Sequence, residues 1–325
     1  MQSNLSLYGF IFNPTDKCAF RCRHCAYDSG PDKKAEISLF KGQRYMDQLI
    51  ELNVKKVEFG GGGDPLSTDI TEKLITYAHD LQKKTGYKFK IKVVTNGSFA
   101  TSEEDALRVI KRLRSLGAKI IISDDRYHHE FNQKYMDVLR EVTKRHKHLG
   151  NLYFGNKFVN GEKPQPIRRA RKLLPRNELK WDYLKLCVIG DFMSGIVYGG
   201  KTKLYYFPEG IYFCDHRLGY HQDVDRIVDV VKGALKDPLI KLFWFNLGSS
   251  LIRIKDGLPE KLRNDLSEVP DCVLCEELYE ENPEVLDILR DRSSKIFEKL
   301  KMEYPKRGNG IESLLQEITE KSSSW

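Results

Sequence analysis

Three cysteines crowd one short stretch near the start of this 325-residue chain: Cys18, Cys22 and Cys25 lie within eight residues. Thiolates are the preferred ligands of iron–sulfur clusters, and a cubane of four irons takes four of them. Three local thiolates therefore leave one iron without a protein ligand. An open coordination position marks a metal site that does chemistry, whereas structural sites are closed. The competing reading is a zinc knot with His24 as fourth ligand, although His24 is adjacent to Cys25 and closes a tetrahedron with it awkwardly. The other four cysteines are Cys187, Cys214, Cys272 and Cys275. Four is the ligand number of a fully ligated second cubane. Cys272 and Cys275 form a local clip. The 58-residue gap from Cys214 to Cys272 is a small obstacle, because closure entropy grows by only about 0.6 kcal/mol per doubling of loop length. The alternatives for this set are a zinc site, independent buried thiols, or an open auxiliary iron with Cys187 or Cys214 free as a hydrogen-atom donor.

The elements that must position these residues alternate strand and helix over the first two thirds of the chain. Residues 8–13 (YGFIFN) read as a first strand, and the cysteine loop follows it. Ile37, Leu39, Phe40, Tyr45, Met46, Leu49 and Ile50 repeat with helical spacing over 37–52. Strands at 54–60, 88–97, 118–125 and 151–159 alternate with helices at 69–84, about 102–115 and about 133–147, and a sixth strand is expected near 183–190. Repeated βα units imply a parallel sheet with right-handed crossovers. The residues with chemical character stand where these strands end: the cysteine loop, Gly60–Gly63, Asn96-Gly97 and Ser123-Asp124. The carboxyl ends of parallel strands form the active face of such folds.

Beyond residue 190 the pattern changes. Residues 203–214 (KLYYFPEGIYFC) read as a hairpin around Pro208-Glu209-Gly210. Helices are expected at about 223–236 and 238–254. Cys272 and Cys275 come next, and then two helices at about 283–301 and 310–320.

The Cys-x3-Cys-x2-Cys loop after a first strand resembles the signature of the radical S-adenosylmethionine (SAM) superfamily. Gly62-Gly63-Asp64-Pro65 resembles that family's Gly-Gly-Glu-Pro motif, with Asp in the place of Glu. Asn96-Gly97 after the third strand is commonplace in the family. The resemblance covers roughly residues 8–190 and implies a [4Fe–4S] cluster on Cys18, Cys22 and Cys25, whose open iron binds SAM. Reductive cleavage of SAM then yields methionine and a 5′-deoxyadenosyl radical that takes hydrogen from the substrate. The resemblance also implies SAM contacts: His24 to adenine, backbone near Gly62, Gly63 and Asp64 to the methionyl amino group, and Ser123 and Asp124 to ribose or carboxylate, with Asn96 on the same rim. The later cysteines resemble the shortened SPASM, or twitch, extension of some members, with an auxiliary [4Fe–4S] cluster.

The expected fold is thus α/β: a partial (β/α)6 TIM-like barrel over 1–190, a small hairpin-plus-helices auxiliary domain over 191–280, and C-terminal helices over 281–325. Asp124, His128 and Glu130 are candidate catalytic residues. The stretch Asp125–Phe131 reads either as substrate contacts with a proton-handling His or Glu, or as a loop with surface histidines leading into a helix. Arg168, Arg169, Arg171 and Lys172 form a basic run that either holds an anionic substrate or is a solvated face.

Full ligation of the auxiliary site favours an electron relay, hence oxidation or bond formation, over an epimerase that needs a spare cysteine. The expected partners are a peptide or small natural-product intermediate and a flavodoxin- or ferredoxin-type reductant. No leader-peptide-binding domain is evident, which favours the small molecule. The net charge of +8 arises from 54 basic and 46 acidic residues and mildly favours an anionic partner. It leaves a metal-dependent nucleic-acid-binding or redox-sensor protein as the rival from another class. No secretory signal or membrane span is expected, and the cytoplasm is the expected location.

Overall fold

The computed structural model describes residues 7–124, 126–149, 152–155, 203–213, 221–243, 285–305, 309–313 and 316, apart from the side chains of 126, 127, 129, 155, 242 and 243. The sixth strand expected near 183–190, the basic run at 168–172 and Cys187, Cys214, Cys272 and Cys275 lie outside these residues. The chain divides into two compact units. One spans Gly9–Leu173 with Tyr205–Glu209; the other holds Met1–Tyr8, Leu174–Leu204 and Gly210–Trp325.

In the first unit, strands β1 (Gly9–Phe12), β2 (Lys56–Phe59), β3 (Lys90–Thr95), β4 (Lys119–Ser123) and β5 (Tyr153–Gly155) pair in parallel, each with the next. Strand β6 (Lys203–Phe207) lies on the far side of β1, where the Asn13 amide donates to Tyr206 O at 2.8 Å. Strand β5 is an edge, so the sheet is open among the described residues: a partial barrel. Helices α1 (Leu39–Glu51), α2 (Ile70–Thr85), α3 (Glu103–Ser115) and α4 (Arg126–Arg145) alternate with the strands.

Local chemistry accounts for the helix ends. The Ser38 and Ser102 hydroxyls cap α1 and α3 by accepting from the Lys41 and Asp105 amides at 3.2 and 3.1 Å. Helix α3 opens on Glu103, Glu104 and Asp105 and closes on Arg112 and Arg114, as its dipole favours. Helix α2 stops at Gly86, whose φ of +73° suits glycine. Helix α4 starts about two turns earlier than the spacing predicts, so His128, Glu130 and Phe131 belong to its opening turns and not to a loop. No glycine or proline interrupts 126–132, and the apolar series Phe131, Tyr135, Met136, Leu139 and Val142 continues back into those turns.

The sheet's two faces differ. Phe10, Phe12, Val57, Phe59, Ile91, Val93, Ile120 and Ile122 are buried on the side that carries the helices, with Phe10 packed against Tyr45 of α1 at 6.1 Å. Each such side chain contributes about 1.5–3 kcal/mol. The alternate residues Lys56, Glu58, Lys92, Val94, Ile121 and Ser123 are only half-buried. Strands therefore present one sealed face and one accessible face, as period-2 alternation requires.

In the second unit, β7 (Gly210–Tyr212) pairs antiparallel with β8 (His221–Gln222), and Tyr212 stacks on His221 at 4.4 Å. Strands β6 and β7 occupy the predicted hairpin positions, with Pro208-Glu209 between them. Helices α5 (Ile227–Lys236), α6 (Pro238–Phe243) and α7 (Val285–Glu303) follow. Asp237 caps α6 through the Leu239 amide at 2.8 Å and accepts from Arg290 of α7 at 3.2 Å. No helix among the described residues is long and apolar enough to cross a membrane.

Candidate active site at the strand ends

The cysteine loop is seated against the Gly run by backbone bonds. Thr15, fully buried, donates its hydroxyl to Ala35 O at 3.1 Å and accepts from the Lys17 amide at 3.0 Å. The Thr15 and Lys17 carbonyls accept in turn from the Gly63 and Asp64 amides at 2.8 and 3.0 Å. Only glycine fits at 63, because a Cβ there would lie under 3.0 Å from backbone atoms of Thr15, Asp16 and Lys17. Gly62 meets the loop differently: its φ of +134° is one that other residues rarely adopt. Within the loop, the Cys18 amide donates to Gly30 O at 3.1 Å and the Cys25 amide to Cys22 O at 3.2 Å. Phe20, between two of the cysteines, is buried against Phe131 and Tyr135 of α4 at 5.9 and 5.8 Å.

None of the three cysteines is in a disulfide, with Cys22 buried and Cys18 and Cys25 half-buried. The Cys18 sulfur accepts from Asn96 Nδ2 at 3.3 Å and from the Phe20 amide at 3.5 Å. Burial, and next the charge of Asp64, push the Cys18 thiol up to about 11. Asp64 is itself buried. Its Oδ2 accepts from the Thr95 hydroxyl at 2.8 Å and the Asn96 amide at 2.7 Å, and its Oδ1 from the Leu66 amide at 2.8 Å. Burial nevertheless raises its pKa above the ordinary carboxylate value, opposed by those three donors and by nearby His128. Asp64 thus ties the end of β3 to the loop after β2 and begins the short 3-10 turn Pro65–Ser67.

The other predicted positions are placed as follows. His24 is buried and meets His128 edge-to-face at 4.6 Å. The Cys22 sulfur and one ring nitrogen from each of these two histidines lie within 4.8 Å of one another. Asn96 is buried at the end of β3, where its Oδ1 accepts from the Ser98 amide at 2.9 Å. Ser123 ends β4. Asp124 accepts from Arg140 Nη2 with both oxygens, at 3.2 and 3.1 Å. Glu130 is exposed and pairs with Arg23 at 3.5 Å. The structure therefore brings Cys18, Cys22, Cys25, His24, Gly62, Gly63, Asp64, Asn96 and His128 to one rim, whereas the Asp124 and Glu130 carboxylates are engaged by arginines.

Sequence reasoning missed Asn132. It is fully buried, and its Nδ2 donates to Asn96 O and to Ser123 O, both at 3.1 Å, joining the ends of β3 and β4. A polar residue among the apolar positions of α4 is the one sign it leaves in the sequence.

These donors fit an iron–sulfur cluster: three thiols on one loop, none in a disulfide, with N–H groups already directed at one sulfur, the arrangement that tunes cluster ligands. Residues 12–169 match the Radical SAM superfamily. Among solved structures, the chain is similar to BtrN in complex with AdoMet and 2-DOIA (14% identity, TM-score 0.44, covering 65% of this chain and 74% of that one). It is also similar to anSMEcpe with bound AdoMet (16%, 0.39, 64% and 72%). Streptococcus suis SuiB bound to precursor peptide SuiA is a third (13%, 0.38, 70% and 64%). No curated protein matches the chain. The family match thus spans the cysteine loop, the glycine turn and the ends of β3 and β4.

Proposed function

We propose that this protein is a two-cluster radical SAM enzyme that oxidises a natural-product intermediate or a peptide, or forms a bond within it. The observation that carries this reading is the seating of Cys18, Cys22 and Cys25 on the rim of the open sheet, against a Gly-Gly-Asp turn that no larger residue at 63 would permit. When bound, the cluster and SAM supply an electron source and a 5′-deoxyadenosyl radical for abstracting substrate hydrogen. The chain's own residues do the positioning. Cys18, Cys22 and Cys25 ligate three irons, and Asn96 donates to the Cys18 sulfur. The backbone at Gly62 and Gly63, beside buried Asp64, receives the methionyl end of SAM. His24 stands for the adenine, and Ser123 and Asp124 for the ribose, the latter steered by Arg140. His128 takes the proton-handling role, because its ring lies with the cysteine loop whereas Glu130 is drawn to Arg23.

Cys187, Cys214, Cys272 and Cys275 hold the auxiliary cluster in this proposal, in a twitch-like domain over 191–280, and a flavodoxin- or ferredoxin-type protein delivers the electron. Peptides stay among the candidate substrates, and the SuiB structure holds one. A second reading rests on the Cys22–His24–His128 group, whose donor set also suits zinc. Metal analysis of anaerobically prepared protein separates the two. About eight irons and eight sulfides per chain support two cubanes, and stoichiometric zinc without iron sinks the proposal. Cys272→Ala or Cys275→Ala should lower iron toward about four; iron that stays near the wild-type value refutes the auxiliary assignment.

A further inference from the structure

The accessible face of the sheet carries a row of charge that the site above does not use. Parallel register aligns Glu58 of β2 with Lys92 of β3, and Lys92 with Lys119 of β4, on one level. Lys92 Nζ meets Glu58 Oε2 at 3.0 Å, and Lys56 Nζ reaches the same oxygen at 3.8 Å. Lys119 Nζ lies 3.4 Å from the centroid of the Tyr153 ring, an exposed residue of β5 on the same face. Lys92 and Lys56 thus share a single carboxylate, and Lys119 stands on the same level with its ammonium over the Tyr153 ring. All four charged groups alternate with the sealed residues Val57, Ile91, Val93 and Ile120, so they cannot be facing the helices.

Toward the cysteine loop, the next level of this face is apolar, with Val94 and Ile121. Asn96 and Ser123 come next, at the rim. Lys92 and Asn96 are four residues apart, as are Lys119 and Ser123, a rise of roughly 13 Å along the strands. The face therefore runs from cationic floor through apolar strip to radical-generating rim.

The geometry points to a substrate-reading site on this face: Lys92, Lys119 and Lys56 hold an oxyanion, carboxylate or phosphate, at the far end of a substrate whose carbon skeleton lies along Val94 and Ile121. The assignment rests on the proposed enzyme reading, in which the reacting C–H bond lies at the rim. Charge complementarity selects the occupant: among the described residues Lys92 and Lys119 outnumber Glu58 on this level, and such a floor attracts an anion. Glu58 is the built-in competitor: it holds Lys92 and Lys56 in place and must be outbid by the ligand.

Calorimetry on the reconstituted full chain tests this with two probes, succinate and inorganic phosphate. Lys92→Gln with Lys119→Gln should weaken binding about tenfold or more, whereas Lys92→Arg with Lys119→Arg should stay within about threefold. Glu58→Gln should tighten binding several-fold, roughly the effect of removing one nearby negative charge; a purely structural ion pair has no reason to do so. That variant and the arginine pair keep the test decisive should the glutamine pair fold poorly. The pair Lys83→Gln, Lys84→Gln on α2 is the control and should change nothing. Tighter succinate binding marks a carboxylate substrate and tighter phosphate binding a phosphorylated one. Binding that Glu58→Gln fails to tighten, or that the α2 control weakens equally, overturns the site. Wild-type release of 5′-deoxyadenosine is measured alongside. Its absence with lysine-dependent anion binding intact removes the enzyme reading and not the site; normal release without lysine dependence removes the site alone.

Discussion

Gly63→Ala adds one carbon where the structure leaves none. The new Cβ would fall under 3.0 Å from the Thr15 and Lys17 carbonyl oxygens and the Asp16 carbonyl carbon. These are backbone atoms, so no side-chain rotation relieves the overlap. Either the loop 15–17 or the turn 62–64 must move. Overpacking of this kind costs about 1–3 kcal/mol. The movement also breaks the Gly63-to-Thr15 and Asp64-to-Lys17 bonds, each contributing about 1 kcal/mol. A total of about 4 kcal/mol corresponds to a fall of roughly 10 °C in melting temperature for a unit of this size. Gly86→Ala is the matched control: φ there is +73°, but nothing lies within 4 Å of the added carbon, so strain alone costs about 1 kcal/mol. Thermal unfolding of the metal-free chain, followed by circular dichroism, gives both values, and iron retained after reconstitution reports the loop. Gly63→Ala should melt well below Gly86→Ala and lose iron. If the two variants melt together and retain iron equally, the seating of the cysteine loop on the glycine turn is wrong.

Two other substitutions test the supports of the rim. Asn132→Ala removes the donor shared by Asn96 O and Ser123 O; stability should fall by about 2–3 kcal/mol, with weaker iron retention, and a change below about 0.5 kcal/mol in chemical denaturation would show that the bridge does not hold the strand ends. Asp64 carries a pH signature. Burial raises its folded-state value above the unfolded one, so the folded chain keeps this proton after the unfolded chain has released it. Its stabilising contribution is full below about pH 4 and is lost as pH rises through the folded value. Asp64→Asn removes that slope: the stability of wild type relative to the variant should decline from acid toward neutral pH, and a difference that is flat or rises over that interval refutes the direction.

The cysteine loop could be read from the sequence because ligand spacing is local: three thiols within eight residues restrict one another whatever surrounds them. The strands were legible for a similar reason. Runs such as Lys90–Thr95 alternate sealed and half-open positions, and the pattern survives packing. The start of α4 was not legible, since its opening turns are polar and the apolar stripe that carries the helix begins only at Phe131. Nor was the work of Asp64. The sequence shows an aspartate in the place of a glutamate, whereas its partners Thr95 and Asn96 lie 31 and 32 residues away. Phe20 and Asn132 act across comparable distances: a spacer between two cysteines and a helix residue become supports only once α4 has packed. The charged floor of the sheet was hidden in the same way, because Glu58, Lys92 and Lys119 become neighbours through register alone.

The central claim is that Cys18, Cys22 and Cys25 hold a radical-generating centre. The most direct measurement is dithionite-dependent formation of 5′-deoxyadenosine from SAM by the anaerobically reconstituted protein, beside Cys22→Ala treated identically. Wild type should release 5′-deoxyadenosine and methionine together, and Cys22→Ala should release neither. Release that is absent from fully iron-loaded wild type, or unchanged in Cys22→Ala, would contradict the account.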